Sequence, residues 1–126
     1  MIRLLADLLR RRLLLVTVEG RSMTPTYAPG DRLLVRRVAF SAVRRGDAVV
    51  LRSPGPEFPG DPRYLVKRAA ALPGDPVPAG VPADDPVVPD GRLAVLGDNV
   101  NGSADSRHMG LLPSASVVGV VLRRMA

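Results

Sequence analysis

The 126-residue chain has no cysteine, no tryptophan, one histidine and one lysine. Without cysteine there is no disulfide and no thiolate metal site, and His108 alone cannot build a protein zinc site. The missing cysteine does not distinguish compartments, because reducing and oxidising sides of a membrane both permit it. Aromatic residues make up 3% of the chain, whereas single-stranded nucleic acid is gripped by stacking on aromatic rings. No nucleic-acid partner is therefore expected, despite a net charge of +6. That charge also fits an anionic membrane surface, or an arginine-rich composition with no partner behind it. Long apolar runs are absent too. Leu13 to Val18 is a run of six residues backed by Arg10, Arg11 and Arg12, whereas a span needs roughly 20. No transmembrane anchor is expected in this chain, and no small-residue cleavage site marks a signal peptide.

What is present suits one small β-rich domain. Hydrophobic residues make up 46%, drawn from Val, Leu and Ala, between 12 Gly and 13 Pro. Residues 2–13 read as a short amphipathic helix, with Ile2, Leu5, Leu9 and Leu13 on one stripe and arginines around it. Such a helix suits either peripheral contact with an anionic membrane surface or packing on the domain. Residues 14–126 then form a single domain. Strands are expected at Leu14–Glu19, Arg32–Arg37, Ala48–Arg52, Tyr64–Ala70, Arg92–Leu96 and Val117–Arg123. Turn signals such as Pro29-Gly30-Asp31, Gly46-Asp47, Pro73-Gly74-Asp75 and Gly97-Asp98-Asn99 separate them. Short strands with frequent turns predict a small closed β-sheet or barrel, with a Pro-rich loop over residues 73–90.

The lone lysine stands out against 17 arginines. Arginine stays protonated in proteins, whereas a buried lysine can become neutral. A position that requires a neutral amine can therefore be lysine and not arginine. In a strand over 64–70, Leu65, Lys67 and Ala69 share one face, while Tyr64, Val66 and Arg68 share the other. A free lysine, with a pKa of about 10.4, is neutral in about one molecule in a few thousand at pH 7. Burial lowers that pKa by up to ~3–5 units, enough to make a base. The bland alternative is a rare residue whose stem snorkels to solvent.

Ser22 lies just after the first strand, in Gly20-Arg21-Ser22-Met23-Thr24-Pro25-Thr26. A serine on a constrained turn is a nucleophile when a base is in reach, although serine and proline in turns are usually structural. His108 is the other candidate base. It follows Arg107 and has only Asp105 near in sequence to orient it, so it reads as a surface residue.

Four segments, in order, carry a family resemblance. The Ser22 segment is similar to the nucleophile segment of type I signal peptidases (the S26 type). Gly30-Asp31-Arg32-Leu33-Leu34-Val35 resembles the family's second box. Gly46-Asp47-Ala48-Val49-Val50, Val66-Lys67-Arg68 and Leu72-Pro73-Gly74-Asp75 resemble its lysine box. Gly97-Asp98-Asn99 with Ser103-Ala104-Asp105-Ser106-Arg107 and Gly110 resembles the last. The resemblance covers residues 18–121.

It implies a serine endopeptidase that needs no cofactor and removes an N-terminal signal or leader peptide from a precursor protein. Ser22 is then the nucleophile, Lys67 the general base and Ser103 the residue that orients the lysine. The oxyanion loop includes Gly20 and Met23, with the Ser22 N–H as donor. Some relatives carry a serine hydroxyl where this chain has Gly20. Asp98, Asn99, Asp105 and Arg107 match positions best read as scaffold, with Arg107 paired to Asp105 or to Asp98. The lack of an anchor and the short stretch between the last two boxes resemble the small maturation proteases of nickel-type superoxide dismutase. Localisation is then peripheral to a membrane or cytoplasmic. Two other readings are a self-cleaving repressor-type Ser–Lys domain, for which residues 1–19 are too short to hold a helix-turn-helix, and a basic binding module with an inactive site.

Overall fold

The computed structural model describes residues 6, 11–53 and 64–126. Ala6, Arg11 and Arg12 are helical, and the rest of the helix expected over 2–13 lies outside the described residues. Seven strands follow: β1 Leu13–Thr17, β2 Arg32–Arg37, β3 Ala48–Arg52, β4 Tyr64–Ala71, β5 Arg92–Leu96, β6 Leu112–Pro113 and β7 Val117–Met125. One short helix, α1, spans Ser106–Met109 between β5 and β6. The six expected strands are all present, with ends shifted by a residue or two. β6 and α1 are additions, too short to show a period in the sequence.

All strand pairs are antiparallel, in the order β1-β2-β7-β3-β4-β5-β6. The expected closed sheet is realised as a half-barrel, with β1 and β6 at its two edges. The long last strand, β7, is its spine. It pairs with β2 on one side and β3 on the other. Register shifts at Leu34/Val35, Val50/Leu51 and Ala69/Ala71 bend the strands. A bulge adds local twist, so three of them curl the sheet.

Curling lets apolar side chains pack on both faces of the central strands. Val50 and Val66 join Val16, Val18, Met23, Leu33 and Val35 in one cluster. Their neighbours Val49, Leu51 and Ala69 join Leu93, Val95 and Leu112 in another. This explains a departure from simple alternation in β4, where Leu65, Val66 and Lys67 are all buried. The Pro-rich segment 73–90 is ordered on a third cluster of Ala71, Val88 and Ala94. Pro76 and Val87 form a bridge there, and the Val77 N–H donates to Pro86 O at 2.8 Å.

Three turns share one device. Asp31, Asp47 and Asp75 each accept a hydrogen bond from the backbone N–H three residues earlier, at 2.8, 2.8 and 2.9 Å. The glycine before each adopts a left-handed φ of 91°, 96° or 90°. The Gly-Asp dipeptides are thus turn chemistry written in the sequence.

Gly119, in the middle of β7, has a different reason. A side chain there would meet the backbone of Arg36 on β2, with the Arg36 carbonyl carbon at 2.9 Å. Gly119→Val is expected to force β2 and β7 apart and destabilise the fold by about 1–3 kcal/mol, read as a lower urea midpoint. An unchanged midpoint would contradict this packing.

Candidate active site

The turn that carries Ser22 is held at both ends. The Val18 N–H donates to Asp31 O, and the Gly30 N–H to Val18 O, each at 2.8 Å. Within the turn, the Thr24 N–H and hydroxyl both donate to Arg21 O, and the Tyr27 N–H donates to Met23 O. Met23, 1% exposed, anchors the turn in the first core cluster. Gly20 enters the turn with φ 73°. Ser22 itself is half-buried.

A second loop, between β5 and α1, laces onto this turn. The Asn99 N–H donates to Ser22 O at 2.8 Å, and its side-chain amide donates to Arg21 O and Thr24 Oγ1 at 3.2 Å each. Asp98 accepts from Thr26 Oγ1 at 2.6 Å and from Arg68 at 3.2 and 2.6 Å. Arg68 and Thr26 hold the Asp98 carboxyl below its ordinary pKa, and burial opposes them. Asp98 therefore fastens the Ser22 turn to β4. Gly97 lies between the two loops. A first side-chain carbon there would collide with Ser103 Oγ and lie 2.6 Å from Ser22 O. Only a glycine lets these elements close up.

Lys67 sits in the middle of β4 and is 4% exposed. Its Nζ donates to Ser103 Oγ at 3.2 Å, and the Ser103 hydroxyl donates to Asp105 Oδ2 at 2.9 Å. Asp105 is wholly buried, yet well satisfied. It also accepts from the Gly97 N–H at 2.8 Å, and from the Arg107 N–H, Nε and Nη2 at 3.1, 3.0 and 2.8 Å. Of the two pairings open to Arg107, the one with Asp105 forms, and Asp98 pairs with Arg68 instead.

Charge follows from this arrangement. Burial pushes the Lys67 ammonium below its ordinary pKa, the Asp105 charge opposes that, and Arg107 reinforces it. Burial alone would push the Asp105 carboxyl up. The Arg107 guanidinium, the Gly97 and Arg107 N–H groups and the Ser103 hydroxyl override it and hold the carboxyl far below the usual range.

Ser22 and Lys67 both line a cavity of about 30 Å³ with Thr17, Val18, Glu19, Met23, Tyr64, Leu65 and Val66. That is space for one or two water-sized groups. A larger open cleft of about 680 Å³, between the Pro-rich segment and residues 109–111, contains none of the candidate residues. His108 is exposed on α1. The sequence reading missed Arg68 and Thr26 as the partners of Asp98, and Gly97 as a spacer. The strand alternation that sets Arg68 opposite Lys67 was a usable signal, but which acid it would meet depends on the β5–α1 loop.

The signal peptidase family, peptidase S26, matches residues 4–81 and 78–126. The mitochondrial ATP-independent inner membrane protease subunit 1a of Arabidopsis thaliana is 35% identical over 118 residues, covering 86% of this chain and 67% of its own. The probable signal peptidase I-1 of Synechocystis sp. is 33% identical over 135 residues, covering 85% and 68%. Signal peptidase I V of Bacillus subtilis is 30% identical over 141 residues, covering 82% and 80%. The chain thus spans about two thirds of the length of the first two and four fifths of the third. It belongs to the signal peptidase family, peptidase S26, whose members are serine endopeptidases. No helix among the described residues is long and apolar enough to cross a membrane.

Asp105→Asn is expected to destabilise the fold near pH 7, because a neutral amide then replaces the fully buried carboxylate that accepts from Gly97, Ser103 and Arg107. A carboxyl depressed in the folded state stabilises above its unfolded pKa of about 3.9, and that stability is lost as pH falls below it. Urea unfolding of both proteins should show a gap that is full at neutral pH and narrows from about pH 4 downward. A gap independent of pH would contradict the role given to the charge.

Proposed function

We propose that this chain is a leader-removing endopeptidase that works through a Ser22–Lys67 pair. The burial of Lys67, with its Nζ 3.2 Å from a serine already committed to Asp105, carries this reading. The Ser103 hydrogen goes to Asp105, so Ser103 Oγ faces Lys67 as an acceptor. It takes one N–H of the amine and cannot donate to the nitrogen lone pair. The lone pair of neutral Lys67 is left for the Ser22 hydroxyl. Each unit by which burial lowers the lysine pKa raises the neutral fraction about tenfold near pH 7.

In the first step Ser22 Oγ bonds to the scissile carbonyl carbon and its proton passes to Lys67 Nζ. The Ser22 N–H faces the developing oxyanion, and Gly20 adds no side-chain donor. Collapse breaks the peptide C–N bond, and the Lys67 ammonium protonates the departing amine. A water molecule then gives a proton to Lys67 and its oxygen to the acyl carbon. The Ser22 ester is cleaved and the lysine proton returns to Ser22. The small cavity beside the pair suits a small side chain on the residue next to the cut.

The substrate is a precursor protein with an N-terminal signal or leader peptide. Its narrowest version is one dedicated precursor, such as that of a nickel-type superoxide dismutase, with residues 2–13 touching a membrane surface. Mass spectrometry of protein N-termini should separate these, in cells carrying the wild-type chain, Ser22→Ala or Lys67→Arg. Mature N-termini are expected with the wild type and lost in both variants, while circular dichroism shows both variants folded. Many precursors would mean general leader removal, and a single one a dedicated maturation protease. Full processing by Lys67→Arg would contradict the base assignment, since arginine cannot shed its proton.

A further inference from the structure

Asn99 grips both peptide groups that flank Ser22. Its backbone N–H donates to Ser22 O at 2.8 Å, and its side-chain amide donates to Arg21 O at 3.2 Å. Arg21 O also accepts from the Thr24 hydroxyl at 2.8 Å and from the Thr24 N–H at 3.1 Å. The same Asn99 amide donates to Thr24 Oγ1 at 3.2 Å. Asn99, Thr24 and the Arg21 carbonyl thus form a closed ring of hydrogen bonds. A carbonyl only accepts, so Nδ2 of Asn99, and not Oδ1, faces Arg21.

The ring sets the direction of a group it does not touch. The peptide bond between Arg21 and Ser22 is trans. In a planar trans peptide the N–H points opposite to the C=O. The donors gathered on Arg21 O therefore aim the Ser22 N–H away from the ring. Among the described residues, no backbone carbonyl accepts from that N–H. Hydrogen bonds accepted by a carbonyl also polarise its peptide group, which makes the attached N–H a stronger donor. Asn99 is itself boxed in. The Gly102 N–H donates to Asn99 O at 3.1 Å, and a first side-chain carbon at Gly102 would lie 2.7 Å from Asn99 Nδ2.

We infer that Asn99 is a positioning residue for the oxyanion, whose side-chain amide acts through the Arg21 carbonyl to aim the Ser22 N–H at the developing negative charge. The inference rests on the reading of Ser22 as the nucleophile and of its N–H as the oxyanion donor. Asn99→Ala keeps the backbone grip on Ser22 O and removes the grip on Arg21 O. Gly102→Ala keeps the asparagine and displaces its amide. Losing an oxyanion donor outright costs roughly 100- to 1000-fold in kcat, and a donor that stays but is aimed less well should cost about tenfold.

The test uses peptides spanning the cut sites of precursors whose processing is lost with Ser22→Ala. Wild type, Asn99→Ala and Gly102→Ala are compared for kcat and KM, and for affinity toward a peptide aldehyde of the same sequence. Ser22 Oγ bonds to the aldehyde carbon, the serine proton passes to Lys67, and the former carbonyl oxygen takes the oxyanion position. With no leaving group, the reaction stops there. Both variants should lose about tenfold in kcat with KM changed by less than about twofold, and bind the aldehyde more weakly by the same factor. The pH midpoint of kcat should stay where it is, because Lys67 is untouched. Gly102→Ala carries the test if circular dichroism shows Asn99→Ala unfolded. An unchanged kcat, a loss of kcat with full aldehyde affinity, or a shifted pH midpoint would overturn the role given to Asn99 while leaving Ser22 as nucleophile. Absence of any Ser22-dependent precursor would overturn the nucleophile itself, and with it this inference.

Discussion

The buried carboxylate of Asp105 is the constraint on which the site depends. A charge taken fully out of water is costly unless its oxygens are filled. Here five donors fill them: the Gly97 and Arg107 N–H groups, the Ser103 hydroxyl and two Arg107 guanidinium nitrogens. Each donor is fixed by the same act. Gly97 ties the end of β5, Arg107 ties α1, and Ser103 loses its freedom to donate elsewhere. The last of these matters most for chemistry, because it decides which way the proton points between Ser103 and Lys67. The carboxylate also draws Lys67 toward its charged form, but Arg107 works against that pull. Burial is the larger effect, and the lysine pKa falls.

Asp98 does mechanical work on the other face of the same strand. Lys67 and Arg68 are consecutive residues of β4, so their side chains leave the sheet in opposite directions. One meets Ser103 and the other meets Asp98, which also holds Thr26 of the Ser22 turn. Lys67 and the Ser22 turn are therefore tied to one strand through two aspartates. The stem of a lysine is flexible, and a reacting pair must be held to a fraction of an ångström. Asn99 and Gly97 complete the fastening through the Ser22 carbonyl and the gap beside it.

Much of this was legible in the chain because the signals were local. The apolar runs gave six strands, the Gly-Asp dipeptides gave their turns, and a single lysine among arginines stood out at a position that is buried in the fold. The segment around Ser22 was readable as a constrained turn, and the ordered boxes pointed to the family. Long-range choices were less visible. Arg107 had two possible partners, and only the β5–α1 loop brings it to Asp105. Val66 looked like a residue on the outer face of β4, yet it is buried, because a curled sheet covers both faces of its centre. β6 is two residues and α1 four, too short for a periodic signal. Glycine at 97 read as part of a turn, while its packing role between Ser22 and Ser103 depends on a loop that closes from far along the chain.

The lone lysine makes the central claim directly measurable. Protein grown with lysine carrying carbon-13 at Cε gives a single labelled side chain, whose chemical shift reports protonation of Nζ. Titration of the folded protein should show one midpoint clearly below the 10.5 of an unperturbed lysine, and unfolding in urea should return the midpoint to about 10.4. A folded midpoint at or above the unfolded one would mean that the Asp105 charge outweighs burial, and would contradict Lys67 as the base.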